Sequence, residues 1–143
     1  MRCEEIMSRD VVTLRRDATV QEAARLMADK DVGFIPVVDG NKAVGVLTDR
    51  DIAVRCVAKG NDCATTKVAD IISKDLVCCS PQDDVSRAKE LMQEHQISRI
   101  LVCDQNKRPV GVISLQDLAL EEGAGEVGKT VREVKEGAPG PVH

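Results

Sequence analysis

The chain has 143 residues, 43% of them hydrophobic, with one Phe, no Tyr, no Trp and a net charge of −4. That length allows one compact domain or two closely packed halves, and copies near 60 residues would be marginal alone, so a shared core is expected. The negative charge argues against nucleic acid held by phosphate neutralisation, and the missing aromatics remove the platforms on which single strands stack.

In chain order, Cys3–Ser8 reads as a short helical turn and Val11–Leu14 as a brief strand. Thr19-Val20-Gln21-Glu22 is a capping box, and the helix it opens has an apolar stripe of Val20, Ala23, Ala24 and Met27. Phe34–Val38 has the length of a buried strand, Asp39–Lys42 has turn chemistry, and Ala43–Leu47 is the returning strand. A helix is expected from Asp49 to Lys59. Repeat one thus spans 1–60, and the polar segment 61–67 is a connector.

The order then recurs over 68–122. Val68–Ser73 reads as helical, Leu76–Cys79 as strand and Val85–Glu94 as helix. Ile100–Cys103 and Val110–Ile113 follow as strands around a turn at 104–109, and the last helix starts at Leu115. A shift of 65 maps Val20, Ala23, Leu26 and Met27 onto Val85, Ala88, Leu91 and Met92. A shift of 66 maps Val44–Ala53 onto Val110–Ala119. Two copies of one supersecondary unit therefore fill residues 1–122. The expected fold class is α/β (α+β): two β-α-β-β-α repeats packed sheet to sheet with pseudo-twofold symmetry.

The tail, 123–143, is polar. Its Gly123–Thr130 segment satisfies G-x-x-x-x-G-K-[ST] but lacks the preceding strand a phosphate loop needs. Thr130-Val131-Arg132-Glu133 reads better as a capping box opening a short helix. No apolar run reaches transmembrane length and no signal peptide opens the chain, so a soluble cytoplasmic protein without a membrane partner is expected. Cys3, Cys56, Cys63, Cys78, Cys79 and Cys103 form no C-x-x-C pair and have no His at ligand spacing, so no metal site or disulfide is expected. Cys56 and Cys103 read as small buried hydrophobes.

Chemistry concentrates at Thr48-x-x-Asp51 and Ser114-x-x-Asp117, each where a strand hands over to a helix. Both pairs fit a purely structural capping box. They also fit a nucleotide: a helix start suits a phosphate, and a carboxylate can accept bonds from ribose hydroxyls. Gly45 and Gly111 would leave room for a ligand beside the strand.

These residues resemble a tandem pair of cystathionine-β-synthase (CBS) domains, the Bateman module. The likeness lies in Ile6-Met7-Ser8, the Thr19–Met27 helix, Gly33–Asp39 and Gly45–Asp51. In the second copy it lies in Ile97–Val102 and Gly111–Asp117. The resemblance implies a regulatory, non-enzymatic sensor with two clefts between the repeats, each able to hold AMP, ADP, ATP or S-adenosylmethionine and needing no cofactor. Carried over by position, site one would comprise Val12, Thr13, Val32, Gly33, Phe34, Thr48 and Asp51, with Arg50 able to compensate for the uncharged Phe34. Site two would comprise Val77, Cys78, Ile97, Ser98, Arg99, Ser114 and Asp117, and Arg99 would suit it to charged ligands. A solvated arginine at the strand edge fits Arg99 equally well. The resemblance further implies a homodimer acting on an unidentified effector protein. The alternative is an interaction module without a small ligand, its surface supplied by Ala53, Val57 and Leu118 unless these are core. His95 and His143 are the only histidines, and no nucleophile–base–acid set emerges. The adjacent Asp83 and Asp84 read as helix-start charges.

Overall fold

The computed structural model describes residues 1–73 and 75–122. The candidate phosphate loop and the terminal capping box lie outside these residues. The described residues form two compact units: Val12–Leu76, and Met1–Val11 together with 77–122. The opening segment therefore packs with the second repeat's elements, although in sequence it precedes the first.

In the contiguous unit, β1 (Leu14–Arg15) runs parallel to β2 (Phe34–Asp39), which pairs antiparallel with β3 (Lys42–Thr48). Between β1 and β2 lies α2 (Val20–Lys30), capped reciprocally by Thr19 and Glu22. It buries Val20, Ala23 and Met27 but leaves Ala24 exposed, so the buried stripe is narrower than the sequence suggests. The helix after β3 also departs from expectation. Asp49–Asp51 (α3) forms one α-turn, then Ile52–Val57 winds as a π-helix. Val68–Asp70 is a 3₁₀ turn rather than a longer helix, and Ser73 bridges to Val46 of β3.

The other unit repeats this order. The parallel strand β4 (Cys78–Cys79) joins β5 (Arg99–Cys103), which pairs antiparallel with β6 (Pro109–Ser114). Helix α4 (Val85–His95) follows β4, and α5 (Leu115–Glu122) follows β6. Asp84 is the N-cap of α4, as its position suggested. The lead-in helix α1 (Cys3–Ile6) ends near Ser8, whose backbone exchanges two hydrogen bonds with Val112 of β6 (2.9 and 3.0 Å). The parallel strands are shorter and start later than their apolar runs, because only Leu14–Arg15 and Cys78–Cys79 reach partners on β2 and β5.

Each unit has its own buried apolar cluster, where one shared core was expected. Val68, Ile71 and Ile72 join α2 and the sheet in one; Cys3 and Met7 join α4 and the sheet in the other. These lead-in residues give each unit the apolar area that a repeat of this size otherwise lacks.

Gly45 and Gly111 are where those segments seat. Both lie opposite a β-bulge, at Val37/Val38 and Val102/Cys103. A Cβ on Gly45 would lie 2.6 Å from the Ser73 carbonyl oxygen and 2.9 Å from Ile72 Cδ1. On Gly111 it would overlap Met7 Sδ and sit 2.7 Å from Met7 Cγ. The space at both glycines is filled by the protein's own chain, which corrects the expectation of room for a ligand there. Gly45→Ala and Gly111→Ala should each cost about 1–3 kcal/mol through overpacking. Gly45→Ala should be the worse of the two in urea unfolding midpoints, because a backbone carbonyl cannot rotate aside as a methionine side chain can.

Candidate functional site

Each handover is built the same way. Helix α2 ends at Asp31 (φ 54°) and α4 at Gln96 (φ 53°), both left-handed, and the next amide turns back to the helix. Val32 N–H donates to the Met27 carbonyl (3.1 Å) and Ile97 N–H to the Met92 carbonyl (3.0 Å). The chain then enters the central strand at Phe34 or Arg99. In register, Phe34 faces Thr48 and Arg99 faces Ser114. A further bond ties strand entry to helix start: Asp49 N–H donates to the Gly33 carbonyl, and Leu115 N–H to the Ser98 carbonyl, both at 3.1 Å.

At these corners the hydroxyl–carboxylate pairs close on themselves. Thr48 N–H donates to Asp51 Oδ2 (2.9 Å) while Asp51 N–H donates to Thr48 Oγ1 (3.1 Å). Ser114 N–H donates to Asp117 Oδ2 (2.8 Å) while Asp117 N–H donates to Ser114 Oγ (3.1 Å). The four residues are half-buried, reachable but not sealed. The capping function is thus real, and it occupies Oδ2 of each carboxylate.

The two corners differ in charge and in open donors. At the first, Asp49 Oδ1 accepts from the Arg50 amide (2.9 Å), so the amides of Asp49, Arg50 and Asp51 are all satisfied within the chain. Asp49 also places its carboxylate against Gly33, where an added Cβ would meet Oδ2 at 2.7 Å. At the second corner Leu115 stands in place of Asp49, and the Gln116 amide has no acceptor among the described residues. A negatively charged group is favoured at a helix start with an open amide and disfavoured beside a fixed carboxylate.

The structure joins Gly33, Phe34, Thr48 and Asp51 through register and direct bonds, and likewise Ser98, Arg99, Ser114 and Asp117. Val32 and Ile97 sit one residue upstream of these, Val32 exposed and Ile97 half-buried. Val12 and Thr13 immediately precede β1, which lies on the far side of β2 from β3, so no direct bond links them to Thr48. Val77 and Cys78 lie correspondingly across β5, with Cys78 beside Leu101. Arg50 is exposed; the cation near Asp51 is Arg55, whose Nε lies 3.9 Å from Asp51 Oδ1. The i,i+4 spacing of Asp51 and Arg55 signalled this pair in the sequence. A cavity of about 750 Å³ in the contiguous unit is lined by Arg55, Lys59, Asn61, Thr65 and Thr66 among others, and none of the predicted site residues reaches it.

The Cys78 thiol is lowered to about 6 by a hydrogen bond from Cys103, with the nearby Lys107 charge adding to the effect against burial. Cys103 is correspondingly pushed up, because it keeps the shared proton. An acid lowered in this way is ionised above pH 6 and protonated below it. Iodoacetamide at pH 7 should therefore alkylate Cys78 first, its rate halving near pH 6, and Cys103→Ala should move that midpoint upward. Peptide mapping across a pH series reads both outcomes.

Two βαββα repeats, each ending in a hydroxyl–aspartate corner, define a tandem module. The CBS-domain family model matches it at residues 3–57 and 68–122. The chain belongs to the CBS-domain family and carries the domain as a pair. It is 42% identical over 123 residues to the CBS domain-containing protein YhcV of Bacillus subtilis, covering 86% of each chain. Hypoxic Response Protein I, solved with two coordinated zinc ions, superposes with a TM-score of 0.78 at 27% identity, over 85% of this chain and 98% of that one. The CBS domain pair of protein MJ0100, solved with 5′-methylthioadenosine and S-adenosyl-L-methionine, shares the fold (TM-score 0.75, 23% identity, 84% of this chain and 94% of that one). Among the described residues of this chain, no group of three or more His, Cys, Asp or Glu side chains is placed to hold a metal. No helix among them is long and apolar enough to cross a membrane.

Proposed function

We propose that this CBS pair is a cytoplasmic, non-enzymatic regulatory sensor that binds an adenosyl compound at its strand-to-helix corners. AMP, ADP, ATP and S-adenosylmethionine are the candidate ligands. One observation carries the reading: each capping aspartate spends only Oδ2 on the backbone. The Oδ1 of Asp117 is not used by the cap and can accept a ribose hydroxyl while the cap stays closed. The open Gln116 amide, with Arg99 entering the sheet opposite Ser114, suits the second corner to a phosphate. The Asp49 carboxylate suits the first to an uncharged or cationic adenosyl group. The adenosyl compounds bound by the structurally similar MJ0100 pair support the same ligand class.

Thermal shift against AMP, ADP, ATP, NAD and S-adenosylmethionine tests this, since a ligand that binds only the folded state raises the melting point. Asp117→Ala should weaken phosphate-bearing ligands about tenfold or more, the loss expected when a bonded polar partner is removed. Its cap contribution should cost about 1 kcal/mol of stability. A bound ligand should also slow alkylation of Cys78. Equal stability loss with binding unchanged would leave the corner as a cap alone.

A second reading, a homodimer that hands its state to an effector protein, is favoured by apolar side chains facing outward. Val54 (46% exposed) and Leu120 (80%) occupy equivalent positions in the two repeats, and Val57 (62%) lies on the same helix as Val54. Leu118 is buried at 1% and belongs to the core, which removes it from the expected surface; Ala53 is exposed. Val54→Glu with Leu120→Glu should convert a dimer to a monomer in sedimentation equilibrium without lowering the unfolding midpoint.

A further inference from the structure

We propose that Cys56 and Cys63 form an oxidisable dithiol, a modification site that closes to a disulfide when a peroxide reaches it. Their sulfurs lie 3.1 Å apart, so forming the bond requires them to approach by about 1 Å. The backbone sets this proximity independently of the sulfurs. After the π-helix, Gly60 (φ 72°) reverses the chain, and Asn61 N–H donates to the Cys56 carbonyl (3.1 Å). Beyond the turn, the Cys63 carbonyl accepts from Gln21 N–H in the first turn of α2 (2.9 Å). Both ends of the short loop are thus fixed.

The two thiols have different access. Cys56 is fully buried, whereas Cys63 is partly exposed. The hydrogen bond shared with Cys63, with burial adding to it, pushes the Cys56 thiol up and disfavours its thiolate. Cys63 therefore attacks first. Its sulfur displaces water from hydrogen peroxide and becomes a sulfenic acid. The Cys56 sulfur then attacks that sulfur, forming S–S and releasing a second water. Two thiols and one peroxide give one disulfide and two waters, and the two sulfurs supply the two electrons. In the other unit, Cys3 and Cys79 lie 3.8 Å apart and are both buried, so that pair lacks an entry point for the oxidant.

The bond would tie the helical run that begins at the Asp51 corner to the loop seated on the start of α2. Lys59 lies between the two cysteines, so trypsin separates them unless sulfur joins them. Full-length Cys78→Ser protein, in which the most readily ionised thiol no longer competes for the oxidant, is treated with stoichiometric hydrogen peroxide, unreacted thiols are blocked, and digests are mapped without reductant. The expected product is a linked peptide pair, 56–59 with 60–67, with two thiols lost per chain and both recovered by dithiothreitol. In Cys63→Ser, Cys56 should remain a free thiol under the same treatment. Cys56 and Cys63 both remaining free under the same treatment would overturn the proposal. So would stable sulfinic acid on Cys63 with Cys56 untouched.

Discussion

Where β3 becomes α3 and β6 becomes α5, the backbone leaves the sheet and has not yet entered the helical hydrogen-bond ladder. Amides at such a junction must find acceptors or be desolvated without them, at about 1–3 kcal/mol each. The Thr48–Asp51 and Ser114–Asp117 pairs supply those acceptors reciprocally. The Gly33 and Ser98 carbonyls accept from the Asp49 and Leu115 amides. This fixes the angle between sheet and helix, and with it the distance between strand entry and helix start. The cap needs only one oxygen of the carboxylate, which is what would let a ligand use the other. The corners differ at two positions: Asp49 occupies an amide that Leu115 cannot, and Arg99 stands where the first corner has Phe34.

The interior is unusual in holding no aromatic side chain. The single Phe, Phe34, stands half-buried at the mouth of β2, facing Thr48 rather than filling a core. Packing falls to branched aliphatics, alanines, and one methionine per repeat helix, Met27 and Met92. Such cores lack large rigid side chains to bridge gaps. The lead-in residues Met7 and Ile72 therefore have to come close, and glycines at the facing strand positions let them. Gly45 and Gly111 are packing residues for this reason.

Much of this was legible in the residues. The 65–66 periodicity marked the duplication, and its one-residue change falls in the turn between β5 and β6, where the second copy is longer. The continuous apolar runs marked β2, β3, β5 and β6, and the hydroxyl–acid spacing marked both corners. What local patterns could not reveal depends on distant partners. Two-residue parallel strands have no periodicity of their own; β1 and β4 are set by where β2 and β5 lie. The π-winding of Ile52–Val57 and the seat of each lead-in segment have no local signal either. The approach of Cys56 to Cys63 had no local signal either, because they meet around a turn rather than through a recognised spacing.

The docking of Ser8 beside Val112 has a consequence for how the polypeptide acquires its structure during synthesis. Val12–Leu76 is continuous, so it can close while the ribosome is still extending the chain. The other unit needs both its earliest residues and β6, nearly a full length later. Met1–Val11 finds its first backbone partners only when residues 81–85 have been made and the last when translation reaches Val112, so this segment waits for the second repeat.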